Sequence, residues 1–192
     1  MTEIASKSAL RAAAIARRAL LSPPERAAAS EKIAAVGLAF AAPRPGSIIS
    51  GFSAMPEELD VFPLLARLVG EGCRACLPVM QRKGKPLAFR TWAPGDDLDI
   101  ALWGIRQPKA EQPTVDPDIL LVPLLAWDAE GWRLGYGGGF YDRTLRGLRA
   151  RKPVVAVGVA FDGQQVDAVP HLDYDERLDW VLTPGGPRRF PA

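Results

Sequence analysis

From Ile4 to Leu21 the apolar residues Ile4, Leu10, Ile15 and Leu21 recur at broadly helical spacing with alanines between them, which predicts a first helix. Ser22 to Glu25 (SPPE) follows as a capping box with proline at the first helical position, opening a second helix to about Phe40. APRPG ends it. Ser47 to Phe52 (SIISGF) is short, β-prone and bounded by glycines, as a buried strand would be. The acidic loop MPEELD comes next, with Asp60 placed to cap a helix from Val61 to about Gly70. CRACLPVM then reads as a second strand, and strand, helix, strand is the βαβ unit of a parallel sheet.

PLAFRTW is a further strand. Ala93 to Pro117 is rich in Pro, Gly and Asp, a long connection with one short element around Leu98 to Trp103. DILLVP, from Asp118 to Pro123, has the continuous apolar run of a central strand. After a glycine-rich stretch, a helix from about Tyr141 to Ala150 turns Leu145 and Leu148 inward; PVVAVGVAF and LDWVLTP supply the last strands. The expected fold is α/β: a mostly parallel open sheet with helices on both faces, three-layered and Rossmann-like, in a single domain over residues 1–192.

At 192 residues and 48% hydrophobic content the chain can fill one ordinary core. Its 24 basic and 22 acidic residues nearly balance, so no general polyanion-binding surface is expected, and hence no nucleic-acid partner. No apolar run reaches the roughly 18 residues of a membrane span, so no membrane partner is expected either. The Arg- and Ala-rich start has the look of a transit peptide, but Glu3, Glu25 and Glu31 argue against it; the expected location is the cytoplasm. Cys73 and Cys76 form a C-x-x-C in what reads as a buried strand with no second pair nearby, so core packing is expected of them.

RLGYGGGFYDR, from Arg133 to Arg143, sets four glycines between a strand end and a helix N-terminus. In an open parallel sheet ligands bind at the carboxyl ends of strands, and there backbone N–H groups and the positive helix end favour an anion. Gly137 to Gly139 carry no side chain to obstruct a phosphate, and Arg133 and Arg143 flank them. A flexible linker fits worse, because the loop is short and carries Tyr136, Phe140 and Tyr141. Neither G-x-x-x-x-G-K-[ST] nor a complete G-x-G-x-x-G is present, so spacing alone leaves phosphate binding and simple helix capping both open.

WDAEGWRLGYGGGFYDRTL, from Trp127 to Leu145, resembles the signature of the 5-formyltetrahydrofolate cyclo-ligase (5,10-methenyltetrahydrofolate synthetase) family. KSALR at Lys7 to Arg11, EELDVFPLL and AFDGQQVDAVPHLDYDERLDWVLT extend the resemblance over nearly the whole chain. It implies ATP- and Mg²⁺-dependent closure of 5-formyltetrahydrofolate to 5,10-methenyltetrahydrofolate, with ADP and phosphate released. Reduced folate and ATP would be the small-molecule substrates, and the chain is expected to act as a monomer.

Residue by residue, the resemblance implies ATP contacts from Lys7, Ser8, Ala9, Leu10 and Arg11 and from Arg133, Leu134, Gly135, Tyr136, Gly137, Gly138, Gly139, Phe140 and Tyr141. Read alone, Lys7 and Arg11 would be a solvated helix face. Tyr136, Gly137, Gly138, Gly139 and Phe140 would also border the folate. Glu58 would accept hydrogen bonds from the pterin, with a slip of the match by one residue placing Glu57 there instead. Asp142 and Asp175 are the implied Mg²⁺ ligands, oxygen donors of the kind this ion takes. Arg143 is the expected catalytic residue, stabilising charge on the transferred phosphoryl group. Asp96, Asp97 and Asp99 fit no metal spacing and are expected to cap a loop or short helix. His171 is assigned no chemistry. Two positions depart from the family pattern: Val61 replaces a threonine, and Gly138 stands where some relatives carry lysine. Two alternatives stay open: a non-catalytic nucleotide-binding relative that binds RNA or protein, and a phosphoryl transferase on another pterin-like acceptor.

Overall fold

The computed structural model describes residues 3–82, 84–101 and 104–191. Two helices, α1 (Glu3–Ala19) and α2 (Pro23–Val36), precede the first strand. The Ser22 capping box forms: its backbone N–H donates to Glu25 Oε2 at 2.7 Å, and its hydroxyl accepts from the Glu25 N–H. α2 stops four residues short of the expected Phe40, because Gly37 (φ 70°) caps it with its N–H on the Ile33 carbonyl. Ala39–Ala41 form a separate 3-10 turn.

The unit β1 (Ile48–Ser50), α3 (Phe62–Gly70), β2 (Arg74–Val79) is the expected parallel crossover. Asp60 Oδ1 accepts from the Phe62 N–H at 2.9 Å at the start of α3. β3 (Ala88–Trp92) returns antiparallel to β2. In the long connection the expected short element appears as β4 (Leu98–Ile100), paired with β5 (Arg106–Pro108); Leu102 and Trp103, its expected end, lie outside the described residues. There Asp96 Oδ2 caps a turn through the Ala93 N–H at 2.8 Å, and Asp97 pairs with Lys109. β6 (Ile119–Pro123) is followed by a small hairpin, β7 (Ala126–Trp127) and β8 (Arg133–Leu134), then α4 (Phe140–Arg149), β9 (Val155–Val159), β10 (Trp180–Thr183) and β11 (Gly186–Arg189).

The large sheet has the order β11-β10-β9-β6-β1-β2-β3. Its five inner strands are parallel, and an antiparallel strand closes each edge. From β1 the chain winds outward through α3 to β2, whereas from β6 it winds the other way through α4 to β9. The strand order therefore reverses between β1 and β6, and a crevice opens beyond their carboxyl ends.

Alternate residues of β6 enter opposite layers, as the pleat requires. Ile119 and Leu121 meet Ile33 of α2 and Leu64, Leu65 and Leu68 of α3. Leu120 and Val122 meet Leu145 and Leu148 of α4 together with Cys76. Val61, fully buried, belongs to the first of these layers, where a hydroxyl would need a partner. Cys73 and Cys76 are buried free thiols in opposite layers, and burial pushes the Cys76 thiol far up. The expected apolar stripe of α1 is corrected: Ile15 is 45% exposed, whereas Leu10 and Ala14 pack on Leu125, Ala126 and Leu134 of the hairpin region. Alanine at the contact lets this helix lie close to the small hairpin.

Candidate active site

The crevice at the β1–β6 junction opens into a cavity of about 990 Å³, at the upper end of the range of small-ligand sites. Phe52, Ser53, Met55 and Glu58 enter it from the segment after β1, Pro78 and Met80 from the end of β2, and Pro123 from β6. The whole of Arg133 to Arg143 forms another wall. α1 contributes Lys7 and Arg11, and the segment before β10 contributes Leu172, Tyr174 and Asp175.

The glycine loop does not spring directly from β6, as its sequence position suggested; the β7–β8 hairpin intervenes. Buried Asp128 holds that hairpin, its Oδ1 accepting from the Glu130 and Trp132 N–H groups and its Oδ2 from Val169. At its far end Gly137 (φ 97°) and Gly139 (φ 63°) take the left-handed region, which costs other residues about 1–2 kcal/mol. Gly139 is the N-cap of α4, and no side chain caps that helix, so its first-turn N–H groups remain available to an anion. Thr144 anchors the helix start: its Oγ1 donates to the Phe140 carbonyl and accepts from the Leu87 N–H.

Cations surround this loop. Arg11 Nε donates to the Gly135 carbonyl at 2.9 Å, and Arg143 Nη2 donates to the Gly138 carbonyl at 2.6 Å. A Cβ on Gly137 would stand 3.4 Å from the Arg11 guanidinium, and one on Gly139 only 2.8 Å from Arg143 Nη1. At Gly138 a side chain would meet the Phe140 ring at 2.8 Å. The positive charge beside the loop thus comes from Arg11 and Arg143. Gly139→Ala is therefore expected to push Arg143 aside and raise the KM for a phosphate-bearing substrate about tenfold, the worth of one charge-assisted hydrogen bond. Unchanged kinetics in this variant would remove Arg143 from the anion site.

The two acids expected to bind metal both line the cavity, each already holding a cation. Asp142 Oδ1 accepts from Arg133 Nη2 at 2.7 Å and from the Glu176 N–H at 3.1 Å. Asp175 Oδ2 accepts from Lys7 Nζ at 2.6 Å and from the Leu172 N–H at 2.8 Å. The second oxygen of each carboxylate has no protein partner among the described residues. No group of three or more His, Cys, Asp or Glu side chains among them is arranged to hold a metal alone. Such a donor set fits Mg²⁺, which takes one or two carboxylates and completes its shell with water and substrate phosphates.

At the other side of the cavity Glu58, rather than Glu57, faces inward, among Phe52, Met55 and Tyr136. Its Oε2 accepts from the Met55 N–H at 2.9 Å and its Oε1 from the Tyr136 hydroxyl at 3.1 Å, with Arg18 Nη1 3.6 Å away. Burial pushes the Glu58 carboxyl above its ordinary value against the pull of the Met55 N–H, Arg18 and Tyr136. Burial and Glu58 push the Tyr136 hydroxyl up to about 12, and burial raises Tyr141 further.

Of the other expected contacts, Ser8 and Ala9 are exposed and off the cavity, and Leu10 packs on the hairpin core. His171 stacks on Trp132, ring centroids 3.8 Å apart, outside the cavity lining. Sequence reasoning missed Phe52, Met55, Arg146 and Tyr174 in the wall and Arg18 behind it. Only Arg18 carried a usable signal, lying seven residues beyond Arg11 and so on the same helical face.

Comparison with known proteins gives a concordant result. The chain is 34% identical to the 5-formyltetrahydrofolate cyclo-ligase of Escherichia coli K12 over 173 residues, 88% of this chain and 94% of that one. It is also 34% identical to the cyclo-ligase of Mycolicibacterium smegmatis, over 93% of this chain and 94% of the relative. The solved structure of the Aquifex aeolicus 5,10-methenyltetrahydrofolate synthetase superposes with a TM-score of 0.76 at 28% identity, covering 97% of this chain and 93% of that one. The family model described as the 5-formyltetrahydrofolate cyclo-ligase family matches residues 3–184, and the chain belongs to that family.

Proposed function

We propose that this chain is an ATP-dependent ligase that closes 5-formyltetrahydrofolate to 5,10-methenyltetrahydrofolate, releasing ADP and phosphate. One observation carries the proposal: a single cavity joins an uncapped helix N-terminus ringed by Arg11, Arg133 and Arg143 to an apolar wall holding a buried carboxylate, Glu58. The first set suits a triphosphate and the second a flat ring that presents N–H donors.

The chemistry needs both in one place. A formyl oxygen on nitrogen is a poor leaving group until it is phosphorylated. In the proposed sequence that oxygen attacks the γ-phosphorus as the bond to ADP breaks. N10 then attacks the former formyl carbon, phosphate departs with the old formyl oxygen, and N10 loses its proton. Phosphoryl transfer asks the protein mainly for alignment and positive charge. The loop N–H groups, Lys7 and Arg11 would hold the triphosphate, and Arg143 would offset charge on the phosphoryl in transit. Phe52, Met55 and Met80 would flank the folate ring while Glu58 accepts from it. Asp142 and Asp175 would hold Mg²⁺, which supplies charge neutralisation on the triphosphate. We also propose that the enzyme acts as a monomer in the cytoplasm. Among the described residues no helix is long and apolar enough to cross a membrane.

The proposal is tested by the appearance of methenyl-folate absorbance when purified protein meets 5-formyltetrahydrofolate, Mg²⁺ and ATP. Product that forms only with ATP supports it; no ATP-dependent product overturns it. A pH dependence follows from Glu58, which must be ionised to accept from the pterin. Its carboxyl sits above the ordinary value, so folate affinity should begin to fall at a higher pH than an ordinary carboxylate would dictate as the solution is acidified. Stability runs the opposite way. The folded chain holds this proton more tightly than the unfolded one, so the Glu58 contribution weakens as pH rises from the ordinary carboxylate value through the raised one. Folate titrations across the acid range would check the first sign, with Glu58→Gln expected to lose the dependence.

A further inference from the structure

Lys7, Arg11, Ala14 and Arg18 fall within about 60° of one another around α1, at roughly 100° per residue. Lys7 and Arg11 reach the cavity wall, but Arg18 does not. Its side chain is only 4% exposed, one guanidinium nitrogen donates to the Tyr136 hydroxyl, and the other lies 3.6 Å from Glu58 Oε1. Arg18 instead lines a separate void of about 10 Å³ shared with Glu58, Phe52 and Gln164. That is the scale of one water molecule, too small for any part of a substrate. Its Nε has no partner among the described residues. Burying a guanidinium this deeply is costly, and an apolar side chain would fill the space at least as stably. Tyr136, by contrast, is 45% exposed in a loop of glycines, with little packing of its own to fix the ring. Its hydroxyl is held between Arg18 and Glu58.

We infer that Arg18 is a positioning residue for the ring-closing reaction: from behind the wall it holds Glu58 and Tyr136 together, locking the Glu58 carboxylate to the glycine loop. The inference rests on the function proposed above. Arg18 touches no substrate and acts through its two partners. A fork that binds both at once is a task lysine cannot perform, since it offers a single ammonium in place of a planar pair of donors. Arg18 should therefore matter for the folate and little for the nucleotide, which is gripped by other members of the same helix and by the loop backbone.

The test is steady-state kinetics of Arg18→Met and Arg18→Lys with folate and ATP varied separately, folding being checked by circular dichroism. Arg18→Met is expected to raise the folate KM about tenfold, the worth of one charge-assisted hydrogen bond, with the ATP KM held within about twofold. Arg18→Lys should move the folate KM the same way by roughly threefold, retaining the charge but not the fork. Should Arg18→Met fail to fold, the lysine variant carries the test. In a Glu58→Gln background Arg18→Met should add less than about twofold, because the group through which it acts is already altered. A purely structural role would lower kcat through loss of folded enzyme and leave both KM values in place. An unchanged folate KM in a folded Arg18 variant, or a full additional effect in the Glu58→Gln background, overturns the inference while the cyclo-ligase activity stands. A wild-type chain without that activity overturns the functional proposal, and this inference with it.

Discussion

Asp142→Asn is expected to lose turnover by about a hundredfold or more, the scale on which an altered metal-site group is felt, while the protein stays folded. The distinction from Asp142→Ala comes from the ion pair at its Oδ1. An asparagine carbonyl can still accept from Arg133 and from the Glu176 N–H, whereas alanine leaves the Arg133 guanidinium, 5% exposed, without its carboxylate. Breaking a buried pair in this way costs about 3 kcal/mol, or a melting temperature lowered by roughly 6–12 °C in a chain of this size. Turnover measured against Mg²⁺ concentration, beside a calorimetric scan, separates the two effects. Near-normal turnover in the Asp142→Asn variant would take Asp142 out of the metal-holding role.

Glu58→Gln is the second large effect. The folate KM should rise about tenfold or more, because an amide offers a pterin one weaker acceptor in place of a charged one. The ATP KM should hardly change, since the proposed arrangement places Glu58 against the folate and not the nucleotide. Stability should change by well under the roughly 3 kcal/mol of an ordinary broken buried pair, because burial already disfavours the charged Glu58, and the amide relieves that cost while leaving Arg18 a weaker partner. Combining this change with Arg18→Met removes both charges and should leave the chain at least as stable as the wild type. Folate titration together with thermal unfolding of the single and double variants checks both halves, and unaltered folate affinity in Glu58→Gln would detach Glu58 from the pterin.

Much of the frame was legible in the chain because local chemistry decided it. The Ser22–Glu25 capping box and the apolar run of β6 each state their structure within a few residues. Where the chain misled, a tertiary contact made the decision. Ile15 continues the apolar period of α1 yet lies in solvent, because the small Ala14 and the long Arg18 make the close contacts instead. β11 was missed since Gly186, Pro187, Arg188 and Arg189 carry no strand signal; pairing with β10 alone makes them a strand. For the site, the glycine loop pointed to a turn that either binds an anion or simply caps a helix, and the family resemblance added Glu58, Asp142 and Asp175, which all line the cavity. Neither could tell that Arg133 and Lys7 lie on those aspartates, since the ion pairs join residues 9 and 168 positions apart. Nor was the reversal of strand order between β1 and β6, which creates the cavity, readable without knowing which strands are neighbours.

The central claim, that the formyl oxygen is activated by phosphorylation in one shared cavity, is tested most directly by following that oxygen. With 5-formyltetrahydrofolate labelled with ¹⁸O in the formyl group, the purified enzyme, Mg²⁺ and unlabelled ATP should release phosphate carrying one ¹⁸O for each methenyl product formed. Unlabelled phosphate accompanying normal product would contradict it, because ATP would then be cleaved without ever being joined to the folate.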